Sequence, residues 1–298
     1  MSLQFVCFGF HPRGLVYGLA GPLANALGPR PLQVMMHEIW TGGSLSSPPR
    51  QRVLGFLQKR MIIALLGKLR PRVIHTQADH HIEMLGRAGI AAQKLPLFPN
   101  IPVRPLDSAF EALALLGKQG WPKLRENRDA YWIFCHFGTL HPEFEPEPLM
   151  NVIKRRAEER GKKCLFLFVG KVGGEGEGVI ARLRTAYGGW SEYFVTGACE
   201  GTTVSAYLNA SDFALTAGIP ELIEKSSSTA VALAHGLPLL VARHSLRWKG
   251  FCPKLPTDTH LLCLDRFHEF PNMAKRSPTT SGVADVADRF LASLETNS

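Results

Sequence analysis

Residues 211–243 read SDFALTAGIPELIEKSSSTAVALAHGLPLLVAR. Residues 213–216 are a short apolar run closed by Gly218 and Pro220, the pattern of a buried strand. Residues 239–242, set off by Gly236 and Pro238, read as the next strand. Between them, residues 226–235 are rich in alanine and leucine and stop at Gly236, the residue type that accepts a left-handed backbone after a helix. The unit is strand, loop, helix, strand, and its loop carries Glu221, Glu224, Lys225 and Ser226 to Ser228. In an open parallel sheet such a loop lies at the carboxyl ends of the strands, where ligands bind. The helix start there offers unpaired N–H groups and a partial positive charge, which suits an anion.

The same rhythm runs upstream. Residues 130–137, 164–169 and 193–196 are apolar strand-like runs, and residues 149–160, 180–187 and 204–209 between them are helical in pattern. Residues 261–264 supply a last strand and residues 282–294 a C-terminal helix. Alternating strands and helices predict an α/β fold on parallel, doubly wound sheet. The loop GKVGGEGEG after Val169 fits neither the dinucleotide fingerprint nor the P-loop, and its glycines read first as a flexible surface loop.

Toward the N-terminus, residues 3–10, 32–36 and 73–77 are predicted strands, with helices over 15–27 and 79–88. The Pro-rich run 95–103 leaves this part, and residues 108–128 form a charged helical connector. The expected division is a partial first domain over 1–104, a connector over 105–129, a second domain over 130–280 and a C-terminal helix over 281–298. A half-sheet beginning at Met1 leaves an open edge, so either the chain is a shortened form or another chain completes the sheet. Residues 50–72 are the most basic part. Val53, Phe56, Leu57, Arg60, Ile63 and Ala64 fall at helical spacing, flanked by Arg52, Lys59 and Lys68. Two readings fit: a helix lying on an anionic membrane, or a domain helix with a solvated basic face.

At 298 residues the chain can bury two α/β cores. Its net charge of +9 favours anionic partners, among them nucleotide sugars and acidic lipid. Nucleic acid is not expected, because no aromatic platform accompanies the basic run. The 6 cysteines form no C-x-x-C pair and read as free thiols of a reducing compartment. No apolar stretch approaches the roughly 20 residues of a membrane span. The expected location is the cytoplasm, either free or peripheral at the inner membrane face.

Asp212, the Pro220-Glu221 loop, Glu224-Lys225-Ser226 and the run Ala234-His235-Gly236-Leu237-Pro238 resemble the donor-site segment of retaining glycosyltransferases with the GT-B fold. The family is the large family-4 group, which transfers sugars from nucleotide diphosphates. The resemblance implies a GT-B-like architecture: two Rossmann-like doubly wound parallel-sheet domains, the N-terminal one incomplete. Glu224 stands near the first acid of the family's pair, and Val231 occupies the place of the second. After the strand over 130–137, the family carries an Arg and then a Lys on the donor diphosphate. Here Thr139, next to Gly138, takes the first position and Phe144 or Glu145 the second. Lys225, Arg243 and Lys171 are the cations that replace them. The implied donor site is Gly138, Thr139, Glu221, Lys225, Ser226, Ser227, Ser228 and Arg243. His37 matches a family histidine that follows a strand and faces the interdomain cleft, with His11 in a comparable turn. His37 and Glu224 are the implied catalytic residues.

The co-substrate implied is a nucleotide-diphosphate sugar, the acceptor a glycan or a lipid-linked molecule, and no metal or other cofactor is expected. Helix-end N–H groups and cations can stabilise a leaving diphosphate unaided. Two functions stay open: a hexosyltransferase-type enzyme acting with retention, and a degenerate relative that binds a nucleotide sugar or a protein partner without turnover.

Overall fold

The computed structural model describes all residues except 141–143, 145, 254, 256–259, 274, 276, 278–281 and 296–298. Its first part runs β1 (Ser2–Phe5), α1 (Cys7–Phe10), α2 (Ala20–Leu27), β2 (Gln33–Met36), α3 (Pro49–Leu69), β3 (Val73–Thr76), α4 (Asp79–Gly86) and β4 (Gln93–Lys94). After α5 (Ala109–Lys118) come β5 (Tyr131–Phe137), α6 (Glu147–Arg160), β6 (Lys163–Val169), α7 (Gly174–Tyr187), β7 (Ser191–Gly197) and α8 (Gly201–Ala210). The chain closes with β8 (Phe213–Thr216), α9 (Ser227–Ala234), β9 (Leu239–Val241), β10 (Leu261–Leu262) and α10 (Val283–Glu295).

The strands form two all-parallel sheets, ordered β1-β2-β3-β4 and β10-β9-β8-β5-β6-β7. In the second sheet the chain winds outward from β5 in both directions. A ligand crevice therefore opens at the carboxyl ends of β5 and β8, where the strand order reverses. Successive residues of a strand face opposite sides, and β5 is apolar on both because both are covered. Trp132 and Phe134 join a cluster with Phe166, Phe213 and Phe270, while Ile133 and Cys135 pack with Leu165, Leu167 and Leu208. The Phe134 ring lies 5.0 Å from Phe166 and 5.1 Å from Phe213. The first sheet has its own core, centred on Phe5, Val34, Met36, Ile62 and Leu65.

Several expected elements change length for local reasons. The strand predicted over 3–10 ends at Phe5, because β2 ends at Met36 and the His37 N–H closes the ladder on the Phe5 carbonyl (3.1 Å). The chain then turns into α1, which buries Cys7 and exposes Phe8 and Phe10. The helix predicted from residue 15 starts at Ala20, since Gly18 sits at φ +72°. The connector helix stops at Lys118, before Gly120 at φ +122°. The glycine-rich stretch is not all loop: α7 begins at Gly174, with Glu175 and Glu177 favourably placed in its first turn. Gly176 is small for a reason, as a Cβ there would press on Leu140 and Val172 at 3.2 Å.

One polar staple and one ring contact hold the layers. Asp212 accepts from Arg128 (2.7 Å) and from the Ile133 N–H (2.8 Å), fixing the end of the connector to the start of β8. In α10, Phe290 lies 5.9 Å from His75 of β3, so the C-terminal helix returns to the first sheet.

All six cysteines are free thiols. Burial pushes Cys7 up to about 11 and Cys135 and Cys164 up to about 12. A thiol reagent at pH 8 should therefore modify exposed Cys252 first and reach Cys135 and Cys164 only after unfolding. Rapid native labelling of either buried thiol would contradict the packing of β5 and β6.

Candidate active site between the two sheets

The decisive stretch folds as its sequence suggests. α9 is capped by Ser226, whose Oγ accepts the Thr229 N–H (3.3 Å) and lies 2.9 Å from Ser228 Oγ. At the other end Gly236, at φ +74°, donates to Leu233 O (2.9 Å) and Leu237 donates to Ala232 O (3.1 Å), which closes the helix by the expected glycine motif. His235 is fully buried between Ser205 Oγ (2.8 Å) and Val231 O (2.8 Å), an internal link from α9 to α8.

Between β8 and α9, residues Pro220–Lys225 form a 3₁₀ turn. Side chains of successive residues on such a turn point about 120° apart, which separates Glu224 from Lys225, and the three charged residues end on different partners. Glu221 points inward: it is 1% exposed, and Oε1 accepts the Leu246 N–H (2.9 Å). Its Oε2 has no partner. Glu224 reaches across to the first sheet, where it pairs with Lys94 of β4 and accepts the Asp79 N–H at the start of α4 (3.0 Å). Lys94 also pairs with Asp79 (2.9 Å). Lys225 turns the other way, into a different cavity.

Two clefts result. The first, about 360 Å³, is lined by Gln77, Lys94, Leu97, Glu224, Ser226 and Thr229 among others. Gln77 Oε1 and Thr229 Oγ1 lie here without partners. The second, about 290 Å³, is lined by Glu38, Trp40, His80, His81, Lys225 and Trp248 among others. Glu38 Oε2, His80 Nδ1 and Trp248 Nε1 are buried there without partners. The His80 ring lies 4.0 Å from Trp248, and His81 Nδ1 lies 3.1 Å from Thr76 Oγ1. Both imidazoles are 3% exposed, and burial lowers His80 to about 4 and His81 to about 3, so both are neutral at pH 7. Burial also lowers Lys225, while nearby Glu38 pulls it back up. An antiparallel bridge from Ser44 to Trp248, with Lys249 N–H on Gly43 O (3.1 Å), ties the walls of this cleft together.

The sequence-predicted set is thus only partly gathered. Glu224 and Ser226 share the first cleft, and Lys225 belongs to the second. Gly138, Thr139, Ser227 and Arg243 line neither. The loop after β5 is drawn along the loop after β6, by Gly138 N–H on Val169 O (2.9 Å) and Leu140 N–H on Val172 O (3.1 Å), so it leads away from β8. Ser228 opens onto a small void under α9. Phe144 is core, and Lys171 is exposed. His141 to Glu143 and Glu145 lie outside the described residues. His37 does stand at the end of β2, but both ring nitrogens are committed: Nε2 lies 2.7 Å from Gln4 Oε1, and Nδ1 accepts from Gln77 Nε2 (2.8 Å). Through that bond it holds the Gln77 amide at the edge of the first cleft. His11 is a turn residue, with Nδ1 accepting the Arg13 N–H (3.0 Å). Among the described residues no group of three or more His, Cys, Asp or Glu side chains is placed to hold a metal ion. Sequence reading missed Glu38, Trp248 and Lys94, and the pair His80-His81, which reads from sequence as an exposed helix start, is instead buried, because α4 turns it toward Trp248 and Thr76. The accessible signal was that Glu38 and Lys94 both sit at strand ends of the first sheet.

Among solved structures the chain is similar to Anabaena HepE (Alr3699), in complex with UDP and glucose. The TM-score is 0.53 at 13% identity, covering 95% of this chain and 76% of that one. It is also similar to the catalytic domain of starch synthase IV from Arabidopsis thaliana, bound to ADP and acarbose. There the TM-score is 0.55 at 11% identity, covering 99% and 72%. The chain has the GT-B fold. No family model and no curated protein matches it. At such identities the likeness speaks for the fold alone. In the GT-B frame, the two clefts lie on either side of the Glu224 clasp, between the carboxyl ends of the two sheets.

Proposed function

We propose that this protein transfers a sugar from a nucleotide-diphosphate donor to an acceptor hydroxyl with retention, as a family-4-type hexosyltransferase. The observation that supports this reading best is the second cleft. Sugars present apolar C–H faces and a ring of hydroxyls. Trp40 and Trp248 offer aromatic faces, Glu38 an acceptor, and Trp248 Nε1 and Lys225 donors. Leaving such buried groups unpaired costs about 1–3 kcal/mol each, so a polyhydroxy ligand that pairs them is favoured. The first cleft takes the diphosphate. It adjoins the N-terminal half of α9, whose partial positive end opposes negative charge as it develops on the leaving group, with Lys94 as the neighbouring cation. On this reading the donor phosphate assists deprotonation of the acceptor, and no paired-carboxylate arrangement is required. HepE, solved with UDP and glucose, fits a donor of this chemistry.

One observation favours the second reading, a relative that binds without turnover. The acids named from sequence are engaged elsewhere, Glu224 in the clasp and Glu221 inside the fold. Calorimetry with UDP, ADP and GDP and their glucose conjugates, without added metal, separates the readings when joined to an assay of sugar release. The expected result is binding of one pair plus slow release of sugar. Lys225→Ala should weaken the intact sugar nucleotide about 10- to 150-fold, the loss of one charge-assisted contact, and leave the bare diphosphate nearly unaffected. Binding without release supports the second reading. If no member of the panel binds, the nucleotide-sugar site is refuted.

A further inference from the structure

Helix α3 is apolar on two faces. The inner face, Gly55, Gln58, Ile62, Leu65 and Leu66, is buried against the first sheet. On the opposite face Val53, Phe56, Leu57, Arg60 and Ala64 follow at three- and four-residue spacing, and Val53, Phe56 and Leu57 are 63%, 62% and 42% exposed. By helix geometry, Arg50 and Lys68 run along one side of this stripe and Arg52 and Lys59 along the other. Arg52 also donates to Ser47 O (2.8 Å) and Leu45 O (2.6 Å), tying to the first helical turn a loop whose Leu45 is 51% exposed. No Asp or Glu occurs in α3. Over residues 1–78 there are nine Lys and Arg against one acid, Glu38, a net +8 within a chain total of +9.

We propose that this face docks the protein on an anionic lipid surface. Val53, Phe56 and Leu57 enter the boundary between headgroups and acyl chains, and the flanking cations meet lipid phosphates. Charge decides against the other occupants. A two-fold contact with a second copy would set this cationic face against itself. Nucleic acid would reward the cations but not an apolar stripe between them. No described helix is long and apolar enough to cross a membrane, so the contact is a surface one. The proposal does not rest on the transfer reading, since lipid binding is measured without donor or acceptor.

The test is co-sedimentation of the whole chain with vesicles of phosphatidylcholine alone and of phosphatidylcholine mixed with phosphatidylglycerol. Binding to the mixed vesicles, falling as salt rises, is expected. Arg50→Gln and Arg60→Gln should each weaken it roughly fivefold. Val53→Ser with Phe56→Ser should abolish it; both positions are exposed, and thermal unfolding checks that the fold is kept. Nucleotide calorimetry on the same variants should match the parent protein. No binding to mixed vesicles at low salt overturns the proposal, as does equal, salt-insensitive binding to both vesicles. Unchanged binding by the serine double variant overturns the location. A dimer in light scattering that the double variant disperses assigns the face to a second copy instead.

Discussion

Gly55→Ala should destabilise the protein by about 3 kcal/mol, at the upper end of what overpacking costs. Helix propensity argues the other way, since Ala exceeds Gly by about 1 kcal/mol in a helix interior. Packing decides: a Cβ at Gly55 would stand 1.9 Å from the Thr41 carbonyl oxygen and 2.7 Å from its carbon. That backbone has little freedom to retreat. The Thr41 N–H is held by Gln58 Oε1 (2.9 Å), and Gly42, at φ +76°, itself lies against the Gln51 carbonyl. Gly67 in the same helix is the control, because a Cβ there meets nothing within 4 Å. Gly67→Ala should be neutral or stabilising by up to about 1 kcal/mol. Urea melts of the two variants give opposite signs if the Thr41 contact is as tight as described. Because residues 40–43 line the second cleft, Gly55→Ala should also weaken any ligand bound there. A Gly55→Ala protein as stable as its parent would show that the loop yields freely.

Acidification should unfasten the walls of the second cleft before other parts of the fold. His80 and His81 titrate near 6.5 when unfolded but near 4 and 3 when folded, because burial and the Lys225 charge oppose the imidazolium. The unfolded chain thus takes up protons first. Their contribution to stability is complete above about pH 6.5 and is lost as the pH falls toward the folded values. At about 1.4 kcal/mol per pK unit, the two together remove several kcal/mol by pH 4. Thermal unfolding from pH 7.5 to 4.5 should show a falling midpoint. His81→Asn, which does not titrate, should remove part of the slope; His80, together with His37, His75, His136 and His235, all likewise lowered by burial, accounts for the rest. A midpoint independent of pH over this range would rule out neutral buried imidazoles. Since the His80 ring lies 4.0 Å from Trp248, tilted against it, and stacks on Phe251, the quenching or release of Trp248 fluorescence should track the same titration.

Much of the architecture was legible because its causes are local. The apolar run of β8, the Ala-rich α9 and the glycine at its end are fixed by spacing and backbone preference within a few residues, and they folded as read. The alternation of strands and helices likewise implied parallel sheet, because a crossover helix is what lets consecutive strands run the same way. The strand over 3–10 misled, because a run of apolar residues carries no mark of where its neighbour β2 ends. α3 was left open by its sequence: its exposed apolar stripe and its buried one are both periodic, and only the packed structure shows which face is the core.

The site was less legible. Glu224, Lys225 and Ser226 are neighbours in sequence, and sequence alone suggests that they share a ligand. The 3₁₀ turn sends the two charged side chains apart, Glu224 toward Lys94 and Asp79 some 130 and 145 residues away and Lys225 toward Glu38. The sequence by itself determined the fold class, the strand–loop–helix unit and a cationic first domain, since each depends on periodicity, turn chemistry or summed charge. Only the tertiary structure decided which polar groups meet. Contacts between the two sheets join residues far apart in the chain, and no local pattern records them.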